Sequence, residues 1–170
     1  MASIETFNTV RLTAERVRNE HLGALCRMWR DSRAMATLGG LRTDEEIEQR
    51  FNGYLDHWDR YGFGVWIFCD KLTDRFVGRG GLRQIKIEGK DEVELLYALM
   101  PEFWNQGLAT EMAEAIVAIG LEQLGLREIV AYTLPDNRAS RRVMEKVGFI
   151  YDREIVHAGR PHVLHRLTPS

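Results

Sequence analysis

Along the chain the apolar positions change period, and each change marks an element. Val10 and Leu12 alternate with polar neighbours and predict a short first strand over 9–13. Leu22, Leu25, Cys26 and Trp29 then recur at helical spacing, with Arg27 and Arg30 suited to the negative end of the helix. Gly39 and Gly40 break the chain. Thr43 followed by Glu46 is a capping-box pattern, and Ile47, Phe51, Tyr54, Leu55 and Trp58 continue one apolar face to a helix end near Tyr61. His57, Trp58 and Tyr61 on that helix are read as core rather than as pocket lining.

Period two returns over 63–69 and 76–83, two strands joined by a turn at 71–75. Gly78, Gly80 and Gly81 lack dinucleotide-loop spacing and mark a bulge or close packing within a strand. A polar turn over 88–92 leads to a strand over 93–100, closed by Pro101. Ala109, Met112, Ala113, Ile116, Val117, Gly120 and Leu124 then follow helical spacing. A strand over 128–133, a helix over 137–147 stopped by Gly148, and a final hairpin of 149–157 with 161–167 complete the order. Antiparallel hairpins flanking one parallel crossover predict an α/β fold with a mixed sheet and helices on both faces.

Composition narrows the picture. With 170 residues and 45% apolar content, the chain suits one domain over 1–170. A formal charge of -2 with mixed signs provides no basic stripe for nucleic acid. The N-terminus lacks a charged leader ahead of an apolar run, and no apolar stretch is long enough for a bilayer, so a soluble cytoplasmic protein without membrane partners is expected. Cys26 and Cys69 have neither partner cysteines nor ligand-spaced histidines, which argues against a disulfide framework and against a metal site.

The chemistry concentrates where the chain turns from extended to helical, at Trp104, Asn105, Gln106, Gly107, Leu108, Ala109 and Thr110. A helix start presents unpaired amides and the positive end of its dipole, so this turn is suited to phosphate oxygens without a basic side chain. An ordinary strand-to-helix connection has the same local pattern. The second stretch is Asn137, Arg138, Ala139 and Ser140, followed by Glu145, Lys146, Val147, Gly148 and Phe149. By itself Asn137 reads as a helix N-cap and Ser140 as a local backbone partner.

Together, in this order and separation, the stretch from Glu94 to Glu111 that contains this turn and the stretch from Asn137 to Phe149 resemble the GCN5-related N-acetyltransferase (GNAT) superfamily, in the branch of the ribosomal-protein N-terminal acetyltransferases (RimJ/RimL type). The similarity in element order spans nearly the whole chain, including Arg11 and Leu12 and the final hairpin. It implies a mostly antiparallel sheet in which the strand ending at Met100 splays from the one beginning near Glu128, with the pantetheine of acetyl-CoA in the V. It further implies that amides between Gln106 and Thr110 hold the pyrophosphate, with Asn105 and the Thr110 hydroxyl adding polar groups. Leu99 and Met100 would offer backbone groups to the pantetheine, and Asn137 would touch the same arm.

Two positions depart from the superfamily. Trp104 stands where many relatives carry Gln or Arg, and Met144 where many carry a tyrosine acid. The ribosomal-protein branch shares both changes, which leaves Ser140 as the expected proton donor to the CoA thiolate. Glu94 matches an acidic position used as the base that deprotonates the amine; otherwise it is a solvated member of the acidic run with Asp91 and Glu92. The expected reaction is direct transfer from acetyl-CoA to a primary amine, either a peptide N-terminus or a small molecule, without an acetyl-enzyme. Two other readings stay open: a non-catalytic acyl-CoA sensor or scaffold, and an interaction protein that takes no ligand. The stretches 38–61 and 157–165 carry no charge pattern that selects an acceptor, and exposed hairpin edges make a homodimer a further expectation.

Overall fold

A computed structural model describes residues 4–169. The chain opens with strands β1 (Thr6–Asn8) and β2 (Leu12–Arg16), then helices α1 (Leu22–Trp29), α2 (Ser32–Met35) and α3 (Asp44–Tyr61). Strands β3 (Val65–Asp70), β4 (Phe76–Ile87) and β5 (Lys90–Leu99) follow, and then helix α4 (Leu108–Ala118) and strand β6 (Ile129–Thr133). Helix α5 (Arg138–Val147) and strands β7 (Ile150–His157) and β8 (Arg160–Leu167) close the chain. All strands join one eight-stranded sheet in the order β1-β2-β3-β4-β5-β6-β8-β7, antiparallel throughout except at β5 and β6.

Local chemistry explains most boundaries. Thr43 accepts a hydrogen bond from the Glu46 amide (3.2 Å), and the Glu46 carboxylate accepts one from the Thr43 amide (2.9 Å), so the capping box starts α3 as the sequence predicts. Gly62, at φ 75°, ends it in the left-handed region. Trp58 is buried and donates its indole N–H to the Val65 carbonyl (2.8 Å), which confirms it as core. His57 accepts from the Gln84 amide at Nε2 (2.9 Å) and donates from Nδ1 to the Phe63 carbonyl (2.8 Å). Both ring nitrogens are thereby used, and burial pushes its pKa down.

The strand glycines serve close packing. A Cβ on Gly81 would lie 2.1 Å from the Gly64 carbonyl oxygen of β4's neighbour, and one on Gly80 would press on Ile116 and Met112 of α4 at about 3 Å. β4 therefore approaches both the adjoining strand and the helix above it more closely than any side chain permits.

Three expectations need correction. The predicted strand over 9–13 is displaced: the turn falls at Thr9 to Arg11, Val10 is 85% exposed, and the apolar alternation that counts is Leu12, Ala14. The short partner strand β1 precedes it. The polar turn predicted over 88–92 shrinks to Glu88 and Gly89, both with positive φ, because Glu92 pairs with Ile85 in the ladder and is buried. The helix after the hinge stays α-helical only to Ala118 and finishes as a π-helical turn, Ile119–Gln123. Among the described residues no helix is long and apolar enough to cross a membrane.

Candidate active site

Between β5 and α4 the chain makes a short 3-10 turn, Pro101–Phe103, and then the loop 104–107. Asn105 (φ 61°) and Gly107 (φ 76°) adopt the left-handed conformation, which Asn and Gly tolerate best. Among the described residues the amides of Asn105, Gln106, Gly107, Leu108, Ala109 and Thr110 have no protein partner, as the opening turn of a helix requires. Their shape is fixed from the far end of the sequence. Arg11 donates from Nη1 to the Gln106 carbonyl (2.8 Å) and forms an ion pair with Glu111 on α4 (2.7 Å), while Thr9 donates to the same carboxylate (2.5 Å). Trp104 donates its indole N–H to the Leu99 carbonyl (2.9 Å) under the Arg33 guanidinium, 5.4 Å from the ring centre.

That indole bond bears on Leu99 and Met100. The Leu99 carbonyl already accepts from Trp104; the Met100 amide donates to Val77 (2.8 Å), and its carbonyl accepts from Phe103 (2.9 Å). Each carbonyl keeps one further lone pair for a ligand.

β5 and β6 meet in register at Glu94 opposite Val130, beyond which Leu95 to Leu99 and Ala131 to Thr133 have no paired register with each other. Glu94 thus marks the base of a V. It is 5% exposed and pairs with Arg83 through Nη2 (2.7 Å) and Nε (3.1 Å). Tyr132 of β6 lies beside the pair, 3.4 Å from Arg83, where burial and the Glu94 carboxylate push its phenol up. Glu92, two residues back on the same face, is buried against Arg166 (2.9 Å). Within the acidic run Glu92 and Glu94 are therefore paired, buried carboxylates, whereas Asp91 stays exposed beside Lys86. A cleft of about 350 Å³ opens next to Arg83, lined on the α3 side by Glu46, Arg50, Tyr54 and His57.

On the other face of the sheet, Asn137 caps α5 by accepting from the Ser140 amide (3.1 Å), and its side-chain NH2 stays available. Ser140 lies within hydrogen-bond distance of Tyr97 of β5, whose hydroxyl is 2.9 Å from Ser140 Oγ and 3.1 Å from its carbonyl oxygen. Burial pushes the Tyr97 phenol up to about 12, against the opposing hydrogen bond to Ser140, so it keeps its proton at neutral pH.

Residues 11–150 match the family model described as an acetyltransferase (GNAT) domain. The chain belongs to the GNAT acetyltransferase family. The protein YkkB of Bacillus subtilis (strain 168) is 29% identical over 134 residues, 79% of this chain and 78% of that protein. The crystal structure of an acetyltransferase from Agrobacterium tumefaciens str. C58 covers 99% of this chain and 97% of its own at a TM-score of 0.87, with 24% identity. RimL, a ribosomal L7/L12 alpha-N-protein acetyltransferase solved with coenzyme A, covers 96% of this chain and 98% of its own at a TM-score of 0.80 and 18% identity. At such identities these two structures establish the GNAT fold, with its mostly antiparallel sheet and single parallel pair.

The reaction of GNAT enzymes is acetyl-CoA-dependent N-acetyl transfer. In this GNAT chain the bare amides of 105–110 and the side-chain NH2 of Asn137 are free donors suited to the anionic and amide groups of that cosubstrate. The fold places Glu94 at the base of the V and Ser140 on its α5 side. Arg11 enters the sequence reading only through the resemblance, and Glu111, Arg83 and Tyr97 carry no site reading there. Arg11 and Glu111 lie 100 positions apart, and a signal for Tyr97 existed only in its alternation with Leu95 and Leu99 on the helix-facing side of β5.

Proposed function

We propose that this chain transfers the acetyl group of acetyl-CoA directly to a primary amine in a ternary complex. The observation that carries the proposal is the fork at Glu94 and Val130, with bare amides beyond one arm and, at its base, a buried carboxylate paired with Arg83, which lines a cleft. Asn105, Gln106, Gly107, Leu108, Ala109 and Thr110 hold the pyrophosphate, while Asn137 and the remaining lone pairs of Leu99 and Met100 meet the pantetheine. Acetyl-CoA supplies the activated thioester.

Glu94 receives the ammonium proton, directly or through water, so that the nitrogen lone pair is free to attack the carbonyl carbon. As the new C–N bond forms and the C–S bond breaks, Ser140 gives its hydroxyl proton to the departing thiolate; the proton that the attacking nitrogen sheds passes to water, and Ser140, held by its hydrogen bond to Tyr97, is reprotonated from water. Backbone amides of the diverging strands polarise the carbonyl oxygen. Neither cysteine serves as a covalent carrier: Cys26 and Cys69 are both half-buried, and burial pushes the Cys69 thiol up, away from the reactive thiolate.

Thiol release from acetyl-CoA over a panel of amines and peptide N-termini, run beside thermal shifts with acetyl-CoA, tests the reading. Turnover of at least one amine, with no acetyl adduct on the denatured protein, is expected. Stabilisation by acetyl-CoA without turnover of any amine would assign the chain to the sensor class instead.

A further inference from the structure

The cleft beside Arg83 holds polar groups that the fold leaves unsatisfied. Tyr54 lines it, is 4% exposed, and its hydroxyl has no hydrogen-bond partner. Arg79 on β4 shares the face of Arg83 behind the lining residues, is 5% exposed, and its Nε and Nη1 are buried without partners among the described residues. Burial acts against its charge, and Tyr54, Arg50, Arg83 and Glu94 are its ionisable neighbours. Arg50 lines the cleft with neither an ion pair nor a hydrogen bond among the described residues.

Charge counting sharpens this. The cluster contains the guanidiniums of Arg42, Arg50, Arg79 and Arg83 and the carboxylates of Glu46 and Glu94. Glu94 is taken by Arg83, and Glu46 is engaged in the cap of α3. A buried guanidinium stays protonated, and leaving it without a counter-charge is among the costlier arrangements in a protein interior. Water satisfies hydrogen bonds in such a place but brings no charge.

We propose that the acceptor carries a carboxylate, which Arg50 on the cleft wall binds, with Arg79 and the Tyr54 hydroxyl behind the wall supplying the uncompensated charge and a further donor, while its amine lies toward Glu94. The acceptor class is then a compact amino acid or a similarly sized amine with an acidic group. A cleft of about 350 Å³ is at the small end of ligand pockets and suits such a molecule. Polyamines are disfavoured by the same arginines. The proposal rests on the acetyltransferase reading for the role of the amine, whereas the carboxylate subsite is measurable without turnover.

Its test compares glycine, L-leucine, L-phenylalanine and γ-aminobutyrate, each against its own carboxamide, with spermidine as the polycation. Thiol release from acetyl-CoA reads turnover. Calorimetry on the CoA-saturated protein reads binding of the corresponding N-acetyl acids and N-acetyl carboxamides. For at least one pair the acid is expected to be preferred by about tenfold or more, as a charge-assisted hydrogen bond supplies. Arg79→Met and Arg50→Gln are expected to abolish that preference through KM, leaving acetyl-CoA affinity unchanged. Acid preference in the binding arm without turnover would retain the subsite and remove the proposed reaction. Equal binding of acid and carboxamide in every pair, or preferred turnover of spermidine, would overturn the subsite even in an active enzyme.

Discussion

On one side of the fork the chain offers backbone, the amides of Asn105 to Thr110 held in one short loop; on the other it offers side chains gathered from α3, β4, β5 and β6. The first surface is local in sequence and depends on conformation more than on residue identity. The second exists only after the sheet has assembled, because Tyr54, Arg79, Glu94 and Tyr132 share no local pattern. In the proposed reaction the cosubstrate meets backbone, whose conformation tolerates many sequences, and the acceptor meets side chains, which do not.

The largest expected effect separates chemistry from binding. Glu94→Gln keeps the shape and removes the base, so kcat should fall roughly 10²–10⁴-fold while the Kd for acetyl-CoA stays unchanged. Steady-state kinetics beside calorimetry makes the comparison. A weakened acetyl-CoA affinity would mean that the two sides of the fork are not independent.

Next in size is a gain in stability on the acceptor side. If Arg79 waits for a ligand anion, Arg79→Met removes an uncompensated buried charge and should stabilise the ligand-free protein by roughly 1–4 kcal/mol in urea unfolding. A loss of stability would show that its partners are internal, and the cleft would lose its claim to a binding role. On the cofactor side the corresponding change is Gly107→Ala. Its Cβ meets only the Arg11 Nη2 at 3.5 Å, so space is sufficient, but φ at 76° costs an alanine about 1 kcal/mol. Acetyl-CoA binding should weaken by up to about tenfold with the acceptor KM untouched.

The same division explains what the sequence made legible. Thr43 with Glu46, Asn137 before α5 and the Gly148 stop were readable because a cap is chemistry within three or four residues. The turn into α4 at 104–107 was readable for the same reason. The first strand was misplaced because Val10 and Leu12 alternate as a strand should, yet Val10 lies in a turn tied to α4 by Thr9 and Arg11. The row of Glu92 and Glu94 looked like solvated turn chemistry until Arg166 and Arg83 arrived from other strands to pair with them. The acceptor cleft was illegible altogether: Tyr54 follows the apolar stripe of α3, and nothing local indicates that its hydroxyl ends without a partner.

The smallest effect concerns acid. His57 lines the acceptor cleft, and its fold depends on the neutral ring: Nε2 must accept from Gln84, which a protonated imidazole does not do. Its folded pKa lies below the ordinary 6.5, with burial as the main cause, and burial moves His157 and His165 the same way. In the unfolded chain these rings take up protons at about 6.5. Between the folded and unfolded values the unfolded state holds more protons, so stability rises with pH there. The contribution is complete above about pH 6.5 and is lost as pH falls through the unfolded value toward the folded ones. Each ring limits the slope to about 1.4 kcal/mol per pH unit. Urea unfolding at pH 5.5 and 7.5 should therefore show a less stable protein at the lower pH, and His57→Gln should flatten the difference. Amide exchange, corrected for its intrinsic pH dependence, should locate the loss. Protection at Gln84 should fall while the α4 amides past Glu111 keep theirs, because Glu111, whose pKa its bonds to Thr9 and Arg11 hold below the usual range against burial, remains charged over this interval. Equal loss on both sides would join the acceptor and cofactor surfaces into one cooperative unit.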